Sequence, residues 1–193
     1  MNRHVLCAAL LSIATVLSVS AQKLSGDITP LKNQKEVNVV LDFSETLVNG
    51  KSEEKYISDE TKEKNEEEKA QWLLEWNEKM RSESYSLLIS GFNKELGNNL
   101  FLAGEFPEAE YTISIKVVDI TTGHFAGPFS KPSFIKAEAS FVKTGEKNQF
   151  ATIEFKNSCS KISSTIPYFV TRISLSFGKL GDEIGEIIYK KLK

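Results

Sequence analysis

The sequence has few of the residues that carry out most protein chemistry. Its 193 residues include two cysteines and two histidines, which excludes a disulfide-dense scaffold and a typical multi-histidine zinc site. Eleven glycines and five prolines exclude a collagen-like polymer. Lys and Arg (24) nearly balance Asp and Glu (26), so no excess of positive charge points to nucleic acid. A hydrophobic content of 40% is enough for a globular core and too high for a disordered chain.

Catalytic motifs are also missing. The chain contains no G-x-S-x-G elbow, no phosphate loop, no H-E-x-x-H and no C-x-x-C. Asp42, at the end of a predicted strand, and Asp119, within another, are carboxylates in structured positions. A hydrolase that uses paired carboxylates near them therefore stays open as an alternative. We assign no catalytic residue, no metal site and no cofactor.

The N-terminus has the three-part pattern of a cleaved signal peptide. A basic residue, Arg3, precedes an apolar stretch from Val5 to Leu17, and small residues place a cleavage site after Ala21. No later stretch approaches the roughly 18 uninterrupted apolar residues of a membrane span. We predict that residues 1–21 are a signal peptide and that no transmembrane segment remains after cleavage. The expected location is the periplasm or the extracellular space.

Signal cleavage would also reduce the reactive side chains. Cys7 and His4 would be removed with the signal peptide. The mature chain would then have one cysteine, Cys159, and one histidine, His124. No intramolecular disulfide could then form. A lone thiol acts as a nucleophile only with a general base nearby, and the sequence alone does not bring these two residues together. We interpret Cys159 as an ordinary buried or partly exposed residue.

Four segments have the pattern of β-strands. They alternate apolar and polar residues or are rich in β-branched residues, and they cover residues 36–43, 111–120, 133–143 and 149–156. The last two are separated by a loop of hairpin length that contains Gly145. These two strands are therefore predicted to pair antiparallel.

Two regions have helical periodicity. Apolar residues between Ala70 and Leu96 recur at steps of three, four and seven, which predicts one helix or two helices broken near residues 82–86, with a stop at Gly97. The spacing of Trp72 and Trp76 favours core packing over an exposed platform for a sugar. A second stripe, from Val170 to Ile187, predicts a long C-terminal helix, with a strand as the competing interpretation.

The most polar segment, Lys51 to Lys69, holds eight acidic residues and five lysines. Its charges are mixed rather than blocked, which is typical of a solvated helix face or loop and not of a cation site. Together these segments predict an α+β fold with two layers. We expect a mostly antiparallel sheet of about four to five strands, a helical region after the first strand and a long C-terminal helix. Residues 22–193 would form a single domain.

The most unusual loop runs from Thr122 to Phe129. Its glycines, Gly123 and Gly127, allow positive φ or close backbone approach. One hypothesis is a binding surface; the alternative, which we favour, is that both phenylalanines cover the end of the sheet. The candidate binding residues are Gly123, His124, Phe125, Gly127 and Phe129.

A set of residues spread over nearly the full mature length carries a resemblance to known proteins: Gly26, Asp27, Ile28, Leu31, Lys32, Gln34, Val37, Asn38, Val39, Asp42, Phe43, Ser44, Trp72, Trp76, Phe92, Asn93, Phe106, Pro107, Ala109, Glu110, Tyr111, Thr112, the Gly123 to Gly127 loop, Ala139, Phe141, Val142, Arg172, Ile173 and Gly178 to Gly181. In these residues the mature region resembles a family of exported single-domain proteins from Bacteroides-type bacteria. The resemblance implies export and one domain, and it assigns no catalytic residue.

We therefore expect a non-catalytic binding or envelope-associated module. A carboxylate hydrolase and a structural subunit of a surface assembly are the alternatives. The expected partner is another envelope protein or a small ligand rather than nucleic acid.

Overall fold

A computed structural model describes residues 22–97 and 100–193. The predicted signal peptide, residues 1–21, lies outside the described residues. Cys159 is the one cysteine within them; it is partly buried and forms no disulfide there. Across these two ranges, no helix combines the length and the apolar character needed to cross a bilayer.

The helices follow the capping and periodicity signals of the sequence. Helix α1 begins after Ser52, whose hydroxyl accepts from the Lys55 backbone, and α2 begins with a capping box between Asn65 and Glu68. A π-helical segment joins α2 to α3, which ends at Gly97 with φ of 60°. The break in regularity thus lies before residues 82–86, not within them. The bounds are α1 Glu53–Thr61, α2 Glu66–Leu74, the π-helical segment Glu75–Met80, α3 Arg81–Leu96 and α4 Phe169–Leu192.

All strands of the described chain belong to one mixed sheet. Its main path has the order β1-β8-β7-β6-β2-β5, and β3 extends it by pairing with both β4 and β6. The antiparallel β7–β8 hairpin is present as predicted. The bounds are β1 Leu24–Gly26, β2 Glu36–Asp42, β3 Leu47–Val48, β4 Lys51–Ser52, β5 Leu102–Gly104, β6 Tyr111–Thr121, β7 Phe134–Lys143 and β8 Gln149–Ser158.

The prediction of a mostly antiparallel sheet with four to five strands is therefore wrong. The sheet has eight strands and is mixed, because β2 pairs in parallel with both β5 and β6. Parallel neighbours need a long crossover, and the helical region between β2 and β5 supplies it. The four missed strands have two or three residues each. Such lengths are too short for an alternation pattern, so only pairing reveals them.

Helices α3 and α4 cover one face of the sheet and touch backbone to backbone. A Cβ atom on Gly181 would overlap with the carbonyl oxygen of Leu88, and one on Gly185 would lie 2.6 Å from the carbonyl oxygen of Phe92. These small residues bring α4 close to α3. Fully buried side chains of both helices, including Phe92 and Phe177, then fill the core against the sheet.

Candidate functional site

Two connections meet at one end of the sheet. The first tip loop, residues 122–133, joins β6 to β7, and the second tip loop, residues 159–168, joins β8 to α4. Ile135 of β7 lies opposite Ile120 of β6 and Ser158 of β8, so both loops leave the sheet beside each other. We call the two loops together the tip.

The buried side chain of Arg172 joins the two loops. Its Nε donates to the carbonyl oxygen of Thr122 at 2.9 Å, and its Nη1 donates to those of Ile166 at 2.9 Å and Pro167 at 3.0 Å. The residue is 7% exposed and forms no salt bridge with the described residues. Burial lowers the pKa of this guanidinium from its ordinary value. A guanidinium is well suited to this position because it presents several donors in a fixed plane.

Buried serines fix the bases of the loops. The Ser133 backbone N–H donates to Ser163 Oγ at 3.0 Å, and Ser176 Oγ of α4 donates to the Ser133 carbonyl at 2.9 Å. All three residues are fully buried. The two loops are thus bonded to each other and to α4 at their bases, which orders the residues that project beyond.

Backbone contacts also fold the first tip loop on itself. Gly123 has φ of 63°, and a Cβ atom there would lie 2.5 Å from the Lys131 carbonyl oxygen, so only glycine fits. His124 and Lys131 exchange two backbone hydrogen bonds of 3.0 and 2.8 Å. A short 3₁₀ turn, Gly127–Phe129, forms the outermost part.

The outer surface of the tip is apolar. Phe125 is 49% exposed, Phe129 78%, Ile162 66% and Tyr168 39%. The interpretation that both phenylalanines cover the end of the sheet is therefore wrong. Soluble chains rarely expose several large apolar side chains on adjacent loops without a partner. This arrangement leaves a binding surface as the hypothesis for these residues.

The charges at the tip are of one sign. Residues 120–137 and 155–181 contain no Asp or Glu, whereas Lys131 and Lys161 are exposed beside the apolar residues. An acidic residue, Glu75, borders the tip on the helix side. Burial, the larger effect, and the nearby Glu75 raise the pKa of the Tyr168 hydroxyl. The tip is therefore an apolar surface with a basic border.

Aromatic rings connect the tip to the core. Trp76 is fully buried and stacks on Trp72 with ring centroids 5.6 Å apart. Trp72 stacks on Phe169 at 5.7 Å, and Phe169 contacts Tyr168 at 5.8 Å. The predicted core role of the two tryptophans is confirmed for Trp76 and holds in part for Trp72, which is half-buried. This stack supports the second tip loop from behind.

The remaining sequence candidates form no reactive site. Burial, followed by the charge of Glu183, raises the pKa of the Cys159 thiol, so it is protonated at neutral pH and a poor nucleophile. Asp42 accepts from the Ser44 backbone at 2.8 Å, which lowers the pKa of its carboxyl, opposite to what a general acid needs. Asp119 accepts from the Gly50 backbone at 3.3 Å.

The two carboxylates are also far apart along the sheet. Asp42 lies opposite Lys116, three residues before Asp119 on β6. Three strand residues span about 10 Å. The backbone positions of the two residues are thus farther apart than the carboxyl groups of retaining (about 5–5.5 Å) or inverting (about 6.5–9.5 Å) glycoside hydrolases. Within the described ranges, no group of three or more His, Cys, Asp or Glu could hold a metal ion.

One half of the tip is predictable from the sequence. The five candidate residues Gly123, His124, Phe125, Gly127 and Phe129 all lie on the first tip loop. Ile162, Tyr168 and Arg172 are not among the predicted site residues, because nothing local links residues 159–172 to the first loop. The long stretches without acidic residues were a readable signal of the shared charge.

Comparisons with known proteins add little. No protein-family model and no curated protein sequence matches the chain. Among solved structures it is similar to the PelC dodecamer from Paraburkholderia phytofirmans, with 9% identity, 82% of this chain and 95% of that chain covered, and a TM-score of 0.36. A point variant of that dodecamer gives 10% identity, 82% and 96% coverage and a TM-score of 0.35. Likeness at this level carries no argument about function.

Proposed function

We propose that this protein is an exported, non-catalytic module of the cell envelope that attaches through its tip to an anionic lipid surface. The observation that carries the proposal is the exposure of Phe125, Phe129 and Ile162 on two adjacent loops with fixed bases. Side chains of this kind enter the boundary between headgroups and acyl chains, where apolar area leaves water.

The energies involved are sufficient for reversible attachment. Burying an exposed Phe side chain contributes about 1.5–3 kcal/mol, so Phe129 alone is worth roughly tenfold or more in affinity. Each lysine near an anionic surface adds about 1 kcal/mol. Lys131 and Lys161 border the apolar residues, and no acidic residue on either tip loop opposes them. These contributions support a lipid surface as the partner.

The rigidity of the loop bases supports the same function. Inserting a loop costs less free energy when the loop is already ordered. Arg172, Ser133 and Ser163 hold the two bases together through hydrogen bonds of 2.9 to 3.0 Å. Phe129 and Ile162 can therefore bind at the same time, and their contributions add.

Vesicle sedimentation tests the proposal. Purified protein is mixed with vesicles of phosphatidylethanolamine and phosphatidylglycerol, and separately with phosphatidylcholine vesicles. We expect binding to the anionic vesicles that weakens as salt rises, because salt screens the lysine contribution. Phe129→Ser should reduce the binding about tenfold. The matched control is Leu102→Ser. This residue on β5 is 51% exposed and lies near the start of β2, at the end of the sheet that is distant from the tip.

Three results would refute the proposal. The first is no sedimentation with anionic vesicles, and the second is an equal loss in Phe129→Ser and Leu102→Ser. The third is a Phe129-dependent oligomer in light scattering without lipid binding. That result would identify a second copy of the chain as the partner and favour the structural-subunit alternative.

A further inference from the structure

The outer edge of the sheet has a gap beside β2. On this edge β5 pairs with β2 as far as Asn38, and β4 pairs with β3 from Leu47 onward. Between these two points no strand of the described chain lies beside the edge, although β6 continues on the other side to Asp42. Val39 to Asp42 therefore have β6 on one side and an open edge on the other, and a turn at residues 43–46 separates them from β3.

The direction of the backbone groups shows what the gap lacks. The Leu102 N–H donates to the Lys35 carbonyl at 2.8 Å, so Lys35 faces the β5 edge. Alternate residues of a strand direct their N–H and C=O to the same edge, which places those of Val39 and Leu41 on the open side. The Tyr85 hydroxyl donates to the Val39 carbonyl at 3.2 Å. The N–H and C=O of Leu41 have no strand beside them.

A groove runs along this open edge. Its walls are the backbone of β2 and helix α3, and it encloses a cavity of about 490 Å³. Its lining is largely apolar, with Phe43, Leu41 and the ring of Tyr85, and the 43% exposed Val40 borders it. A second cavity of about 310 Å³ lies on the other side of the Phe43–Ser44 peptide, toward β4, and is lined in part by the 41% exposed Leu47. We call the two cavities together the edge groove.

The charges of the edge groove are arranged along its length. In the centre the Arg81 guanidinium lies 4.9 Å above the Phe43 ring, and its Nη2 is paired with Glu53 at 2.8 Å. The Arg81 Nε is buried without a hydrogen-bond partner. The exposed Glu105 stands at the β5 end and the exposed Glu54 at the β4 end, where Glu45 is already paired with Lys116 of β6. The groove thus has a cation over an aromatic ring at its centre and an exposed carboxylate at each end.

We propose that the edge groove binds an extended peptide segment of a partner protein, which adds to β2 as a strand in the gap between β5 and β4. The segment has an apolar centre that packs on Phe43 and Tyr85, and basic residues on both flanks. This site is separate from the tip and does not depend on the tip binding lipid.

The groove favours a strand over other occupants. Strand β5 already lies beside Glu36 to Asn38, so a short extended segment at the strand spacing of about 4.8 Å continues this row past Val39 to Asp42. Its main chain supplies the partners that the N–H and C=O of Leu41 lack.

The first experiment is selection of a phage-displayed library of random nine-residue peptides on the immobilised full chain. We expect enrichment of sequences with a central apolar residue and Lys or Arg on both sides. A selected peptide is then synthesised with single N-methylated residues, and its binding is measured by fluorescence polarisation. Because one alternate set of N–H groups faces β2, we expect losses of tenfold or more at every second position. Uniform losses, or no losses, would refute strand addition.

Protein variants locate the binding. Leu41→Pro removes the unpaired N–H without touching the β6 ladder, which proline tolerates at an open edge. We expect at least a tenfold loss of peptide affinity from it, and a smaller loss from Glu105→Gln for peptides with a basic flank. The matched control is Leu74→Ser on α2, a 41% exposed apolar residue outside the groove.

The same measurements can overturn the inference. It is wrong if no peptide is enriched over an uncoated surface, or if the selected peptides bind Leu41→Pro and the control equally well. If Leu41→Pro shows no cooperative thermal melt by circular dichroism, the variant is unfolded. The binding of the N-methylated peptides to the unmodified chain then decides the question. Vesicle binding measured on the same variants keeps the edge groove and the tip distinguishable.

Discussion

The α3–α4 contact and the tip are both rich in glycine and large apolar residues, but these residues have opposite roles in the two regions. Between the helices, glycines remove side chains so that two backbones touch, and large apolar residues fill the space around them. At the tip, Gly123 lets the chain turn back on itself, and Phe125 and Phe129 are left in solvent. Glycine and phenylalanine therefore stabilise the first region and leave the second available for binding.

We expect the largest change in stability from a substitution at Gly181. Gly181→Ala would place a Cβ atom on the Leu88 carbonyl oxygen, which is backbone and cannot rotate away. We expect a loss of about 3 kcal/mol or more in the free energy of unfolding, measured by chemical denaturation. Gly178→Ala is the control on the same helix, since its Cβ would meet nothing closer than Leu87 Cβ at 3.5 Å. Better helix propensity should make that variant neutral or more stable. Equal losses in the two variants would contradict the close contact.

Arg172 should give the next largest effect. Arg172→Leu removes the donors of three carbonyl groups near the bases of both tip loops. We expect a loss of roughly 2–4 kcal/mol in the free energy of unfolding, together with faster amide hydrogen exchange in residues 122–133 and 159–168. Arg172→Lys keeps the charge but lacks the planar guanidinium group, so its stability should lie between those of the unmodified protein and Arg172→Leu. Unchanged exchange in these loops would show that Arg172 does not hold them.

Glu183 of α4 is hydrogen-bonded to Ser158 at the end of β8 and to Gln22, which precedes β1. Its Oε2 accepts from Ser158 Oγ at 2.6 Å and from Gln22 Nε2 at 2.8 Å, but burial, the largest effect, raises the pKa of its carboxyl. The folded state therefore holds this proton to a higher pH than the unfolded state does. Stability should fall as pH rises from the unfolded pKa through the raised folded pKa. Thermal melts of Glu183→Gln should lack this decrease; an identical pH profile in both proteins would contradict it.

Phe129 should give the smallest effect on stability. The side chain is 78% exposed, so Phe129→Ser should change the free energy of unfolding by less than about 0.5 kcal/mol. The same variant should lose about tenfold in vesicle binding. Denaturation and sedimentation on one preparation separate the two quantities. A large loss of stability would mean that Phe129 packs on the protein and is not a free binding residue.

Periodic segments were predictable from the sequence and pairings were not. The alternation in residues 111–120 and 133–143 matches β6 and β7 closely, and the stripe from Val170 to Ile187 lies within α4. Strand β3 has two residues, Leu47 and Val48, and exists only because β6 lies beside it. The parallel pairing of β2 with β6 likewise depends on contacts between residues that are distant in the sequence.

The candidate site was predictable to the same extent. The glycines and phenylalanines of the first tip loop stand out in the sequence, but their exposure does not, because a loop phenylalanine can equally fold back on the sheet. Ile162 and Arg172 belong to the site only because β7 pairs with both β6 and β8. The edge groove could not be predicted from the sequence, because it exists only where no strand pairs with the outer edge of β2.

The sequence by itself determined the scarcity of reactive side chains, the longer strands, the helices and the one-sided charge of two loops. Local propensity and composition are properties of the chain and need no partner. The tertiary structure decided which face of α4 meets α3, which loops share the tip and where the sheet edge stays open. These depend on long-range packing and on backbone hydrogen bonds between segments, which no local pattern records.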